Sequence, residues 1–267
     1  MRLGFFTNAF RFFPLDYTLK SISDHGYEGI NLWAKGDHVT PFDGEKKWLA
    51  IKEEIESYGL EIYAVSAHLD FVSPDAEKRK REYKKFMGVL DLAYALGIDQ
   101  VQTASGGLYE DFSFEKQGEY FVSMMNEFGK VAEDRGIIIG LEPEPEKWMS
   151  TPKQTIDLIK TLRYPVFKAV VDMGHAFGVN ETPESYIQQF KDYLLNVHVD
   201  DVNKGDFPHR HLIPGEGDVD FVEAFKMLRE VGYKDWLTVE LNKHNEDPDT
   251  AARLAMEYMS KFEEYWK

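Results

Sequence analysis

The chain has 267 residues, 31 basic and 47 acidic side chains and a net charge of −16. That balance argues against nonspecific binding to nucleic acid or to an anionic membrane surface, since both need a cationic footprint. Cysteine is absent, so disulfides, thiolate metal sites and cysteine nucleophiles drop out.

Short apolar runs rich in β-branched residues alternate with amphipathic patterns along the whole chain. In chain order the expected strands are Leu3–Thr7, Gly29–Trp33, Glu61–Ser66, Gln100–Ala104, Ile137–Glu142, Ala169–Asp172, Leu194–Val199 and Trp236–Leu241. The expected helices between and after them are Asp16–His25, Trp48–Tyr58, Ala76–Leu96, Glu119–Arg135, Thr151–Leu162, Pro183–Phe190, Val219–Val231 and Pro248–Trp266. Gly26, Gly59, Gly97, Gly136 and Gly232 each stand just past a helical pattern, where a left-handed residue ends a helix. Strict alternation predicts a parallel sheet, and eight units predict an α/β fold closed as a (β/α)8 TIM barrel, a single domain over residues 1–267. The start, Met1-Arg-Leu-Gly-Phe-Phe-Thr-Asn8, lacks the apolar core of a signal peptide, and no later run approaches a membrane span. The expectation is a cytoplasmic protein, with a homo-oligomer left open. Glu77–Arg81 and Lys84–Lys85 read as a solvated helix face.

Four polar residues end four of the runs: Glu142, Asp172, His198 and Glu240. Strand C-termini converge on one pocket in a closed parallel barrel. Three carboxylates gathered there repel one another, and a divalent cation removes the conflict. Oxygen donors with one imidazole suit manganese, magnesium, cobalt or zinc, so one such ion is expected on these four residues. Two of the four, Glu142 and Glu240, come from different strands and can approach a bound molecule from opposite sides as acid and base.

Around this set, His175 follows Asp172 by three residues and is expected to touch the substrate or support the ligands. His68, near the mouth after the third strand, is a candidate of the same kind, with a structural role equally open. Trp33, Phe10, Phe71 and Trp148 follow strands and could wall the apolar face of a bound molecule, although core packing explains each as well. Glu144 and Glu146 are candidates for holding hydroxyls. His25, His38 and His244 read as ordinary surface or loop residues.

The strand ends Leu-Glu142-Pro, Val-Asp172-Met-Gly-His175, Val-His198-Val-Asp-Asp and Val-Glu240-Leu, with the segment from His211 to Phe221, resemble the xylose-isomerase-like superfamily of barrels. Within it the resemblance is to sugar epimerases and isomerases of the D-tagatose and D-psicose 3-epimerase type, and it covers the whole chain. It implies one metal on Glu142, Asp172, His198 and Glu240, a sugar substrate, and proton transfer by the two glutamates through a metal-stabilised enediolate. It also implies that His175 contacts substrate oxygens. A keto-sugar or inosose dehydratase or isomerase of the same superfamily is the alternative. The loop after strand seven departs from the epimerase pattern: His211 stands where those enzymes carry an arginine, which makes Lys204, Arg210 and His211 substrate-binding candidates. Asn31 stands where many relatives have a glutamate, so the sugar's far end is expected to be read differently. Apurinic endonucleases share the barrel, and His68, Glu142, Asp172, His175, His198, His211 and Glu240 match ligand positions of their three-metal cluster. Against that reading stand Thr103 where a further histidine is usual, His209 where an acid is usual, and the charge of −16. No second metal cluster is evident beside the first.

Overall fold

A computed structural model describes residues 1–206 and 211–267. Eight parallel strands close in chain order: β1 (Arg2–Phe6), β2 (Gly29–Trp33), β3 (Glu61–Ser66), β4 (Gln100–Ala104), β5 (Ile138–Glu142), β6 (Phe167–Asp172), β7 (Leu194–Val199) and β8 (Trp236–Val239). The ring closes where β8 pairs with β1, Thr238 beside Gly4. The helices are α1 (Leu15–Asp24), α2 (Glu45–Ser57), α3 (Ala76–Leu96), α4 (Phe114–Arg135), α5 (Pro152–Thr161), α6 (His175–Gly178), α7 (Pro183–Phe190), α8 (Phe221–Glu230), α9 (Pro248–Met259) and α10 (Glu263–Trp266). The TIM-barrel expectation therefore holds. None of the described helices is long and apolar enough to cross a membrane.

The boundaries that moved have local causes. α4 starts before its expected position because Ser113 caps it, its side chain accepting from the Lys116 amide. The long terminal helix expected to reach Trp266 stops at Met259, and a 3-10 turn at Ser260–Phe262 separates it from α10. That break lets the Trp266 indole donate back to the Met259 carbonyl at 3.1 Å. The short α6 was not foreseen, since four residues show no periodicity. All five expected capping glycines have positive φ. At Gly97 (φ 70°) and Gly136 (φ 68°) the amide bonds back to the last helical turn, which a residue with a Cβ would do only under strain.

Most apolar burial lies between the strands and the helical ring. There Phe71 is fully buried and packs edge-on against Phe86 and Phe121. Trp148 donates to the Phe114 carbonyl at 3.1 Å and packs on Phe121. Phe10 is buried against Phe5 and Phe13. These three aromatics belong to the core, and the apolar wall expected of them reduces to Trp33.

The inside of the barrel changes character along its axis. At the amino-terminal end, the floor, Tyr63 stacks on Trp236 with ring centroids 4.1 Å apart. The Tyr63 hydroxyl donates to Thr238 Oγ1 at 2.9 Å, and Thr238 donates to Asn196 Oδ1 at 2.7 Å. Tyr63 fits because Gly4 is bare: a Cβ there would collide with its ring. One layer higher, Asn31 donates to Gln102 Oε1 (2.8 Å) and Ser66 donates to Asn31 Oδ1 (2.7 Å). Asn31 is fully buried within this layer. It belongs to the barrel interior and not to a surface that reads a sugar's far end.

Candidate metal centre and active site

Above the Asn31–Ser66–Gln102 layer, four strands deliver Glu142, Asp172, His198 and Glu240 to one place. Parallel pairing sets Asp172 beside His198, and Glu240 follows the last residue of β8. All four are buried, and each offers a ligand atom within 4.8 Å of the others. His198 Nδ1 lies 2.7 Å from Glu240 Oε2 and 3.4 Å from Glu142 Oε1. Yet Glu142 Oε1 and Oε2, Asp172 Oδ2, His198 Nδ1 and Glu240 Oε2 find no partner beyond one another and the neighbouring histidine rings. Buried polar atoms are nearly always bonded, so orphaned atoms facing one point fit a cation. The donor set of carboxylates with one imidazole is that of a divalent ion.

The electrostatics point the same way. Burial drives the Asp172 carboxyl well above the usual range, with Asp200, Glu142 and Glu240 adding to the rise. Burial alone would lower His198, but the Glu142 and Glu240 carboxylates overcome it and hold the imidazole at about 10. The Glu142 and Glu240 carboxyls resist burial and fall below the usual range, chiefly through the His198 charge. Without a cation, a proton on His198 and the upward shift of Asp172 relieve the crowding of carboxylates. A divalent ion would take that proton's place.

Several polar side chains hold the ligands in position. His198 Nε2 faces Gln102 Oε1 at 3.1 Å. That contact fixes the proton on Nε2 and turns Nδ1 toward the cluster. Asn8 and Asn242 both donate to Glu240 Oε1, each at 3.2 Å, leaving Oε2 to face the cluster. His175 has its backbone amide on Asp172 Oδ1 (2.8 Å) and its ring Nδ1 3.2 Å from the Pro143 carbonyl. Its ring is 3.7 Å from Glu142 Oε1, inside the site as expected.

His68 bridges the cluster to the outer mouth. Its Nε2 is 3.2 Å from Glu142 Oε2 and its Nδ1 is 3.4 Å from Glu144 Oε1. Burial opposes its charge, but the neighbouring Glu142 raises the ring to about 8. Trp33 meets the His68 ring edge-on at 5.6 Å and stands partly exposed at the mouth. Of the two neighbouring acids, Glu144 faces the site, whereas Glu146 is exposed at φ 62° and touches none of these groups.

The loop after β7 carries His211 inward. Asp201 organises it, its carboxylate accepting from the amides of Gly215 (2.8 Å), Gly217 (2.9 Å) and Val219 (3.0 Å). The Pro-Gly-Glu-Gly-Asp segment therefore serves to aim His211. The His211 ring sets Nδ1 3.1 Å from Asp200 Oδ2, and Asn242 donates to Nε2 at 3.1 Å. Asp172, Asp200 and His211 form a second buried group able to hold an ion. Contrary to the sequence reading, a second metal-capable cluster does adjoin the first. Lys204 is exposed, its ammonium 5.1 Å from the Phe177 ring centroid, and among the described residues it has no contact with the cluster. Arg210 and His209 lie outside the described residues.

Three other histidines lie in loops or turns, within the surface or loop role expected of them, with only His38 enclosed. His38 is buried and sits 2.7 Å from the Phe13 carbonyl. His25 pairs with Asp249 at 2.9 Å, and His244 reaches the His211 carbonyl at 2.9 Å. Gln102, Asp200, Asn8 and Asn242 went unnoticed in the sequence. Gln102 and Asp200 had a signal, being polar residues in or just past apolar strands.

The model of the family described as xylose isomerase-like TIM barrel matches residues 19–262. The chain belongs to that family. It is 24% identical to fructoselysine 3-epimerase of Escherichia coli O157:H7, over 96% of each chain. It is 22% identical to inosose isomerase of Bacillus subtilis strain 168, over 93% of this chain and 94% of that one. The crystal structure of D-psicose 3-epimerase with D-tagatose, from Clostridium cellulolyticum H10, superposes with a TM-score of 0.84 at 18% identity, covering 100% of both chains.

Proposed function

We propose that the protein is a divalent-metal-dependent sugar epimerase of the ketose 3-epimerase type, acting by proton transfer between Glu142 and Glu240. The observation that carries this reading is the pair of buried glutamates, from β5 and from just past β8, with His198 between them and orphaned oxygens aimed at one point. A cation held by Glu142, Asp172, His198 and Glu240 would supply polarisation of a substrate ketone. One glutamate removes the proton from the adjacent carbon and the other returns one to the opposite face, which inverts the centre. Asn8 and Asn242 hold Glu240 through Oε1, which fixes the orientation of the carboxylate that moves the proton. On Glu142 that task falls to Oε2 beside His68, and His175 and His211 line the site for hydroxyl groups. The epimerase and isomerase relatives support the same class, with a small-molecule sugar as substrate.

An endonuclease reading finds less support. Thr103, where that family carries a further metal-ligating histidine, is spent on the Ala67 carbonyl at 2.7 Å. The test is turnover of a panel of ketoses in heavy water. We expect an unchanged sugar skeleton carrying solvent deuterium at C3, because a carboxyl proton exchanges before it is delivered. Retention of the original hydrogen points to a hydride shift, and loss of one water to a dehydratase.

A further inference from the structure

A cavity of about 440 Å³ opens beside the cluster, lined by His68, Asp70, Glu144, Lys35, Lys78 and Lys147 among others. Its size falls within the roughly 300–1,000 Å³ of small-molecule sites. His68 belongs to both places, 3.2 Å from Glu142 Oε2 on one side and 3.4 Å from Glu144 on the other. A sugar with its reacting carbon at the glutamates would extend into this space.

The charges here are not all paired. Lys78 is 2.6 Å from Asp70, and Lys85 is 2.8 Å from Glu82. Glu144 faces His68. Lys85 stands outside the cavity and His68 is shared between Glu144 and Glu142. Among the described residues Lys35 and Lys147 are thus the two lining ammonium groups with no ion pair within 4.0 Å; Lys35 Nζ donates only to the His68 carbonyl, at 3.0 Å. In a chain of net charge −16, two lysines without a direct ion pair on one cavity wall leave ammonium donors free for an anion.

The wall is also pre-organised. Lys147 is held by a backbone bridge to Gly107. The Tyr109 hydroxyl and the Lys78 ammonium both bond to Asp70, tying the loops after β3 and β4 together. Gly106 lies so close to Asp70 that a Cβ would collide with it. A wall whose backbone is held in place lowers the ordering cost of binding a ligand.

We infer that Lys35 and Lys147 bind an anionic group, phosphate or carboxylate, at the end of the substrate remote from the reacting carbon. The inference rests on the proposed function for the identity of the reacting end. The test compares metal-loaded wild-type protein with the Lys35→Met/Lys147→Met double variant, with circular dichroism checking that the variant is folded. The first readout is kcat/KM for a ketose phosphorylated at its far end, for one carrying a terminal carboxylate, and for the free ketose. We expect the anionic substrate to be preferred by about tenfold or more, roughly the worth of one charge-assisted hydrogen bond. The double variant should lose that preference mainly through KM, and added salt should weaken it in the wild type. Preference for the phosphate ester alone identifies a phosphate site, and equal preference for the carboxylate a general anion site. Equal kcat/KM for charged and neutral ketoses overturns the inference and leaves the epimerase reading standing. If no ketose is turned over, the epimerase reading fails and calorimetric binding of inorganic phosphate decides the site. Phosphate binding that the double variant weakens about tenfold supports it; absent binding, or binding unchanged in the variant, overturns it.

Discussion

The two ends of the barrel interior handle buried polarity in opposite ways. At the floor, Tyr63, Thr238 and Asn196 form a chain of neutral hydrogen bonds under the Trp236 ring. At the mouth, three carboxylates and an imidazole are equally buried, yet their facing atoms find no partner beyond one another and the neighbouring histidine rings. A neutral group needs only a well-placed neighbour, and the floor supplies one to each hydroxyl, leaving Asn196 Nδ2 as its one unbonded atom. Charged groups crowded in a low dielectric need an opposite charge, and the mouth contains too few cations to provide it. The contrast separates structure from function: the floor leaves one neutral amide nitrogen, Asn196 Nδ2, without a partner, whereas the mouth gathers charged atoms around one point.

Replacing residues at each end should therefore fail in different ways. At the mouth, Glu142→Gln and Glu240→Gln keep an oxygen for the cation but cannot accept a proton. Turnover should fall about 10²–10⁴-fold with the melting temperature little changed. Steady-state kinetics beside thermal unfolding checks this, and near-normal turnover removes that glutamate from the chemistry. At the floor, Trp236→Ala should cost about 3–5 kcal/mol of stability, because a large buried ring leaves a cavity. Denaturant unfolding reads the loss. Metal affinity of the folded fraction should stay near wild type, and a collapse of affinity at full stability would break the distinction between the two ends.

The layer between them sharpens it. Gln102 touches the mouth only through His198 Nε2, and it also takes hydrogen bonds from Asn31 and Ser66. Gln102→Leu should weaken metal affinity by about 10–100-fold, the usual cost of losing the partner that orients a ligating histidine. Metal titration measures it; unchanged affinity would make Gln102 merely a core amide.

The fold and the four clustered residues were legible in the sequence because each rests on a local, periodic signal. A short β-branched run ending in Glu, Asp or His marks a strand, its direction and a residue at the mouth. Supporting residues follow a different logic. Gln102 acts through a residue 96 positions away, and Asn8 through Glu240, 232 positions away. No spacing rule links such pairs before the barrel is closed. The aromatics stayed undecided for a related reason: Trp33 ends β2 and Phe71 follows β3, and both are aromatic residues near a strand's carboxyl end. Only the packing of α3 and α4 decides that Phe71 is enclosed by Phe86 and Phe121. Glu144 and Glu146 differ through backbone direction, the second being thrown outward by its left-handed φ of 62°.

The most direct test of the account is calorimetric metal uptake by chelated protein, with activity followed on the same samples. We predict one divalent ion per chain at the four-residue site and recovery of turnover in step with its filling. At neutral pH the uptake should release a proton, because the cation displaces the one held on His198, whose imidazole titrates at about 10. Three ions per chain would favour the nuclease reading of the barrel. Full activity in protein shown to be metal-free would contradict the central claim.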